Sequence, residues 1–264
     1  MLPWLEQKWE RWLAKRVEER MRAQLHLTPT TEFANQDVFI VGYPKSGHTW
    51  FQNLVAGIVY GVDPAIAPDT LIQELVPDLQ QKNYYKRFQT PMFFKSHYLP
   101  RPEYRRVVYL LRDGRDVMVS FLHHNRALYQ NDLDLMQMIT QAKYLPGKWH
   151  EHVERWMANP YAAEMLIIRY ETLIENPLAE LTRFCAWINV KRSDAELQNV
   201  IQKCSFANQQ QKEKTSGWDN REWPKDKLFI RRGQIGSYKD EMPPDVLQEF
   251  WQDAQKTLAR FGYV

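Results

Sequence analysis

Val38 to Trp50, VFIVGYPKSGHTW, leaves this chain few folds to choose from. The apolar run Val38 to Val41 is too short for a helix and predicts a strand buried on both faces. Gly42 and Gly47 bracket a turn, and Thr49 to Tyr60 resumes with helical character. A strand that feeds a glycine-bounded turn and then a helix start aims several backbone N–H groups at one point. The helix dipole favours negative charge at the same place, so the segment predicts a phosphate cradle.

The same grammar returns along the chain. Met92 to Phe94, Val107 to Leu111 and Met165 to Ile168 are short apolar runs that predict buried strands. Between and after them, Asp113 or Gly114 to Leu128, Gly147 to Met157, Pro177 to Ile188, Asp194 to Cys204 and Pro244 to Phe261 predict helices. This alternation implies one α/β domain spanning residues 1–264, with a central, mostly parallel sheet flanked by helices. Ala207 to Phe229 is polar, carries Trp218, Trp223 and Pro224, and has little periodicity, so it reads as a long functional or mobile loop.

Trp4, Leu5, Trp9, Trp12, Leu13, Val17 and Met21 recur at helical spacing, so residues 1–27 predict an amphipathic helix. Acidic residues dilute its polar face, which favours docking on the domain over lying on a membrane. No apolar run is long enough for a membrane span or a signal core, and a cytoplasmic protein is expected. Subtracting 32 acidic from 35 basic residues leaves +3, too little for a general nucleic-acid binder. Cys185 and Cys204 lack the spacing of a disulfide framework or a zinc site.

Three further segments carry chemistry. In FFKSH, strand alternation sends Lys95 and His97 to the same side. VVYLLRDGRDVMVSF puts Arg112 at the mouth of the sheet, where open α/β folds collect ligands, and Ser120 on the following helix. Arg112 suits a phosphate, and equally an ion pair with Asp113 or Asp116. FIRRGQIGSYK offers Arg231, Arg232 and a close-approach backbone at Gly233. Tyr170 in IIRYETL and Phe206 in CSFANQQ read, taken alone, as core aromatics.

Two nucleotide chemistries compete for these residues. Gly42, Gly47 and Thr49 satisfy the G-x-x-x-x-G-x-T part of a nucleoside-triphosphate loop. His48, however, stands at its lysine position, and the lysine lies inside the loop as Lys45. A P-loop kinase or NTPase, with Asp113 as its magnesium acid, is therefore the rival enzyme, and a catalytically inactive nucleotide-binding protein is the rival outside catalysis.

P-K-S-G-x-T-W after a short strand resembles the 5′-phosphosulfate loop of the cytosolic sulfotransferases, which use 3′-phosphoadenosine 5′-phosphosulfate (PAPS). The resemblance runs from about Val38 to Lys239 with its motifs in the family's order. It implies the P-loop-like sulfotransferase fold and in-line transfer of a sulfuryl group to a hydroxyl, less readily an amine, of a small molecule. 3′-Phosphoadenosine 5′-phosphate (PAP) is left as product, and no metal is needed. It further implies that Lys45, Ser46, Gly47, His48, Thr49 and Trp50 bind the donor's 5′ end and adenine, and that Arg112, Ser120, Arg231, Arg232 and Gly233 bind its 3′-phosphate. Tyr170 and Phe206 would hold the adenine, and His97 would be the general base, with a pKa near neutrality suiting the task. Lys45 would stabilise the leaving oxygen, Lys95 would sit against the sulfuryl oxygens, and Ser120 would share a hydrogen bond with Lys45.

The chain departs from the family pattern at His48 and Cys204, each in place of threonine, at Arg232 in place of lysine and at Tyr238 in place of tryptophan. The family's dimer segment is not legible, which leaves the oligomeric state open. Tyr84, Tyr85, Tyr98, Trp218 and Trp223 are the aromatic candidates for the acceptor pocket. Neither a nucleic acid nor a membrane is expected as partner.

Overall fold

A computed structural model describes residues 3–129, 132–142, 146–217 and 223–264. In chain order the elements are α1 (Pro3–Leu25), β1 (Leu27–Pro29), β2 (Val38–Val41), α2 (His48–Tyr60), α3 (Asp69–Leu75), β3 (Tyr84–Lys86), β4 (Phe93–Ser96), β5 (Arg106–Leu111) and α4 (Gly114–Tyr129). They continue with α5 (Leu135–Thr140), α6 (Trp149–Met157), β6 (Glu164–Arg169), α7 (Tyr170–Glu175), α8 (Pro177–Trp187), α9 (Asp194–Lys203), α10 (Phe206–Ser216), α11 (Tyr238–Glu241) and α12 (Pro244–Arg260).

The expected strands form one sheet in the order β4-β2-β5-β6, and every neighbouring pair is parallel. All four strands therefore end on the same side of the molecule. β2 and β5 are buried on both faces in the way their apolar runs require, whereas the edge strand β6 is fully buried only at Leu166 and Ile168. Phe39, Val41, Phe94, Val107, Tyr109 and Leu111 face Trp149, Trp156, Phe250 and Leu258 of α6 and α12. The alternate residues Val38, Ile40, Phe93, Val108 and Leu110 face Phe51, Leu54, Leu181 and Phe184 of α2 and α8. The Phe51 and Phe184 rings meet edge to face at 5.2 Å, so truncating either to alanine should cost about 3–5 kcal/mol of stability.

One expectation needs correction. The stretch from Ala207 is not wholly a loop, because α10 covers Phe206–Ser216. It opens on a Ser205 cap whose hydroxyl accepts from the Asn208 N–H. Its buried residues are Gln209, Lys212 and Glu213, so no apolar stripe announces it. Lys212 instead pairs with Asp69 at 2.9 Å, and the Glu213 carboxylate accepts from the N–H groups of Phe229 and Ile230. In α1, Trp9, Trp12, Val17, Met21 and Leu25 are exposed, and the helix leads into β1, which pairs antiparallel with β3. No described helix is long and apolar enough to cross a membrane.

Candidate active site

Because the strands run parallel, the loop after β2, the end of β4, the turn after β5 and the start of α7 converge at one edge. The loop after β2 is held by two glycines for different reasons. A Cβ at Gly42 would come within 2.4 Å of the Leu110 carbonyl oxygen. Gly47 lies at φ 93°, and a Cβ there would meet the Tyr170 ring at 2.7 Å. As N-cap of α2, Gly47 has no side chain to satisfy the first-turn N–H groups, which suits them to an external anion. Ser46 Oγ is buried inside the same turn without a hydrogen-bond partner.

Lys45 adopts φ 71°, a left-handed conformation that costs a residue with a side chain about 1–2 kcal/mol. The turn brings its carbonyl to Arg112 Nη1 at 2.9 Å and its ammonium under the Phe229 ring at 4.2 Å. Lys45 Nζ also approaches His124 Nδ1 at 3.5 Å. Burial, then the charges of Lys95, Arg112 and Arg231, lower its pKa to about 7. His124 lies four residues beyond Ser120 on the same face of α4, and Ser120 itself is half-buried.

His97 follows β4 directly, and its Nδ1 lies 2.9 Å from the Gly42 carbonyl oxygen. A carbonyl only accepts, so Nδ1 carries the hydrogen and Nε2 keeps a lone pair. Burial first, and then the Lys95 charge, push its pKa down to about 3, below the near-neutral value expected from sequence. The His48 ring packs edge to face on His97 at 4.3 Å. His48 is buried, neither of its ring nitrogens has a partner of good geometry, and burial followed by the His97 and Lys95 charges hold its pKa well below 6.5. Lys95 Nζ pairs with Asp78 Oδ2 at 2.9 Å, so its charge is shared with a buried carboxylate.

Arg112 is a hub. Its Nη1 donates to Lys45 O, its Nη2 reaches Gln234 O at 3.4 Å, and its guanidinium lies 4.3 Å from the Tyr170 ring centroid. The possible ion pair with Asp116 is loose, at 3.9 Å, and Arg112 Nε is buried without a partner. Asp113 pairs instead with Arg115 at 2.6 Å, which engages the acid that a magnesium-dependent ATPase would need. Asp116 Oδ2 accepts from the Gly236 N–H (2.7 Å) and Oδ1 from the Tyr238 N–H (2.9 Å), pinning the segment that contains Arg231, Arg232 and Gly233.

The aromatic side of the site is built from Trp50, Tyr170 and Phe206. Trp50 donates through Nε1 to the Cys204 carbonyl and meets Tyr170 edge to face at 6.0 Å. Phe206 is 39% exposed, and a Cβ at Gly233, φ 60°, would collide with its ring at 2.4 Å. Thr49 is half-buried at the start of α2. Lys45, Ser46, Gly47, His48, Thr49, Trp50, His97, Arg112, Tyr170, Phe206 and residues 231–233 are therefore brought to the same edge.

Sequence reasoning missed His124, Asp116 as a loop anchor, and Glu241. Adjacent histidines in α4 were the available signal for His124, whose ring stacks on Trp223 at 5.2 Å. Glu241 lies two residues beyond the last motif and accepts from both Arg231 and Arg232. Of the acceptor candidates, Tyr85 is buried under Phe94, and its hydroxyl donates to the Glu32 carbonyl. Tyr84 and Tyr85 lie on β3, outside the main sheet. Tyr98 sits under Arg101, and Trp218 lies outside the described residues.

A family model described as a sulfotransferase domain matches residues 35–262. The chain belongs to the sulfotransferase family. Cytosolic sulfotransferase 11 of Arabidopsis thaliana is 24% identical, over 91% of this chain and 77% of that protein. Luciferin sulfotransferase of Photinus pyralis is 23% identical, over 89% and 75% respectively. Among solved structures, retinol dehydratase in complex with androsterone and the inactive cofactor PAP superposes with a TM-score of 0.66 at 21% identity, covering 86% of this chain and 82% of that one. A mouse sulfotransferase complexed with PAP gives 0.65 at 17% identity, covering 87% and 86%. At these identities the likeness shows the sulfotransferase fold, a single α/β architecture around a parallel sheet, as the sequence implied.

Proposed function

We propose that this sulfotransferase moves the sulfuryl group of PAPS to a hydroxyl, less readily an amine, of a small-molecule acceptor and releases PAP, with His97 as general base and without a metal. The observation that carries this reading is the His97 Nδ1 contact with Gly42 O, which leaves Nε2 as the proton acceptor beside the loop that carries Lys45. The two superposed structures are complexes with PAP, which supports the donor. Relatives named for luciferin, a 3-beta-hydroxysteroid and a flavonol support a small hydroxylated acceptor. The Arabidopsis relative's name, cytosolic sulfotransferase, supports a cytoplasmic location.

The residues fit such a nucleotide. Ser46 Oγ and Arg112 Nε are buried donors without partners, and Gly47 and Gly233 leave backbone where a side chain would collide with Tyr170 and Phe206. Lys45, Ser46, Gly47, His48 and Thr49 would hold the 5′ end, and Arg112, Ser120, Arg231, Arg232 and the Gly233 backbone the 3′-phosphate. Trp50, Tyr170 and Phe206 would hold the adenine. The donor, when bound, supplies an activated sulfuryl group.

The chain's own work is then threefold. His97 Nε2 takes the acceptor's hydroxyl proton. Lys45, aided by the loop N–H groups, opposes the negative charge that grows on the departing phosphate oxygen, a contribution of about 3 kcal/mol for one well-placed donor. Lys95 adds positive charge on the His97 side, moderated by Asp78.

The test incubates the protein with radiolabelled PAPS and a panel of phenols, alcohols and amines in the presence of EDTA. Label should move to an acceptor, and His97→Ala should lower turnover about a hundredfold or more while PAP still binds. Activity above about a tenth of wild type in that variant would remove His97 from the base role, and transfer abolished by EDTA would contradict the metal-free reading.

A further inference from the structure

Glu241 stands where three cationic or protonatable groups meet. Arg231 Nη1 donates to both its oxygens at 2.9 and 3.0 Å, Arg232 Nη1 donates to Oε1 at 2.7 Å, and His123 Nε2 lies 2.5 Å from Oε2. The carboxylate is the least exposed member of the cluster, at 18%, whereas the Arg231 and Arg232 side chains are 31% and 41% exposed. Although burial opposes the charged form, the bonds from His123 and Arg231 prevail and keep the Glu241 carboxyl below its usual pKa. It is therefore an anion across the physiological range.

Its position is fixed from both sides. Glu241 ends α11, whose first N–H, from Tyr238, is held by Asp116. Two residues later Pro243 caps α12. The carboxylate can swing, but its backbone cannot drift away from the arginines.

We propose that Glu241 is a built-in competitor of the donor's 3′-phosphate: it holds the guanidinium nitrogens that the phosphate requires, and so sets both the affinity for 3′-phosphorylated nucleotides and the speed of their release. This rests on the PAPS reading above. A phosphate and a carboxylate cannot share the same Nη1 atoms without bringing like charges within about 4 Å of each other. The exchange is one anion for another, with no covalent change. The arginines remain paired throughout, so each turnover avoids the cost of leaving two partly buried guanidinium groups uncompensated. For an enzyme whose product carries the same 3′-phosphate as its donor, a resident competitor shortens the product's residence.

The test measures binding of PAP and of adenosine 5′-phosphate, which has a 3′-hydroxyl, by titration calorimetry to the wild type, Glu241→Gln and Glu241→Ala. The wild type should prefer PAP. Both variants should tighten PAP about tenfold, leave adenosine 5′-phosphate within about twofold, and slow PAP dissociation in stopped flow. If PAP weakens, or both nucleotides shift together, Glu241 is a structural brace and the proposal fails alone. If the wild type does not distinguish the two nucleotides, the donor reading fails and takes this proposal with it.

Discussion

Nucleotide binding should carry a proton onto Lys45. Burial and the charges of Lys95, Arg112 and Arg231 hold its pKa at about 7, so near pH 8 about nine-tenths of the molecules have a neutral amine there. An opposite charge within about 4–6 Å favours the charged form by roughly one to three units, and a nucleotide phosphate in the loop supplies one. Taking a rise of about two units, binding at about pH 8 takes up roughly 0.8 proton.

The sign follows from the two states. The complex binds more protons than the free protein, so affinity is greatest below about pH 7 and falls by up to about sixfold per unit between about pH 7 and 9. His97 starts from about 3, too low to contribute at that pH even after a comparable rise. Calorimetric titration with PAP in buffers of different ionisation heat reads the uptake directly, with Lys45→Met as control. Heats independent of the buffer near pH 8, or an uptake that persists in Lys45→Met, would refute the reasoning.

Other expectations rest on the frame around the site. Asp116→Asn weakens the acceptor for the Gly236 and Tyr238 N–H groups, so PAP affinity should fall about tenfold and proteolysis within residues 229–238 should accelerate while the melting temperature changes little; unchanged affinity would show that the anchor is dispensable. Gly47→Ala forces a Cβ onto the Tyr170 ring and a side-chain-bearing residue into φ 93°, so it should destabilise the fold by about 1–3 kcal/mol and abolish PAP binding, as read by denaturant titration and calorimetry. A stable, binding-competent Gly47→Ala protein would refute the close packing of the loop against Tyr170.

What could be read in the sequence follows the range of the interactions. The strand, loop and helix from Val38 to Tyr60 were legible because apolar runs and glycines encode them locally. Helix α10 was not, because its face is buried through Lys212 and Glu213, whose partners Asp69 and Phe229 give no periodic signal. Arg112, Arg231 and Arg232 were found as phosphate candidates from their motifs. The groups that now hold them, Lys45 O and Glu241, became visible only once the chain was folded. His124 escaped for the same reason, since its approach to Lys45 spans 79 residues of chain. The His97 pKa also differs from expectation, because burial against Lys95 is a property of the packed sheet edge rather than of the residue type.

A crystal structure with PAP and an acceptor hydroxyl bound tests the central claim most directly. Lys45 Nζ should lie within about 3 Å of a 5′-phosphate oxygen and His97 Nε2 within about 2.6–3.2 Å of the acceptor oxygen, with the two groups on opposite flanks of the gap that the sulfuryl group crosses. A nucleotide seated away from the loop at residues 42–49, or an acceptor oxygen out of reach of His97, would contradict it.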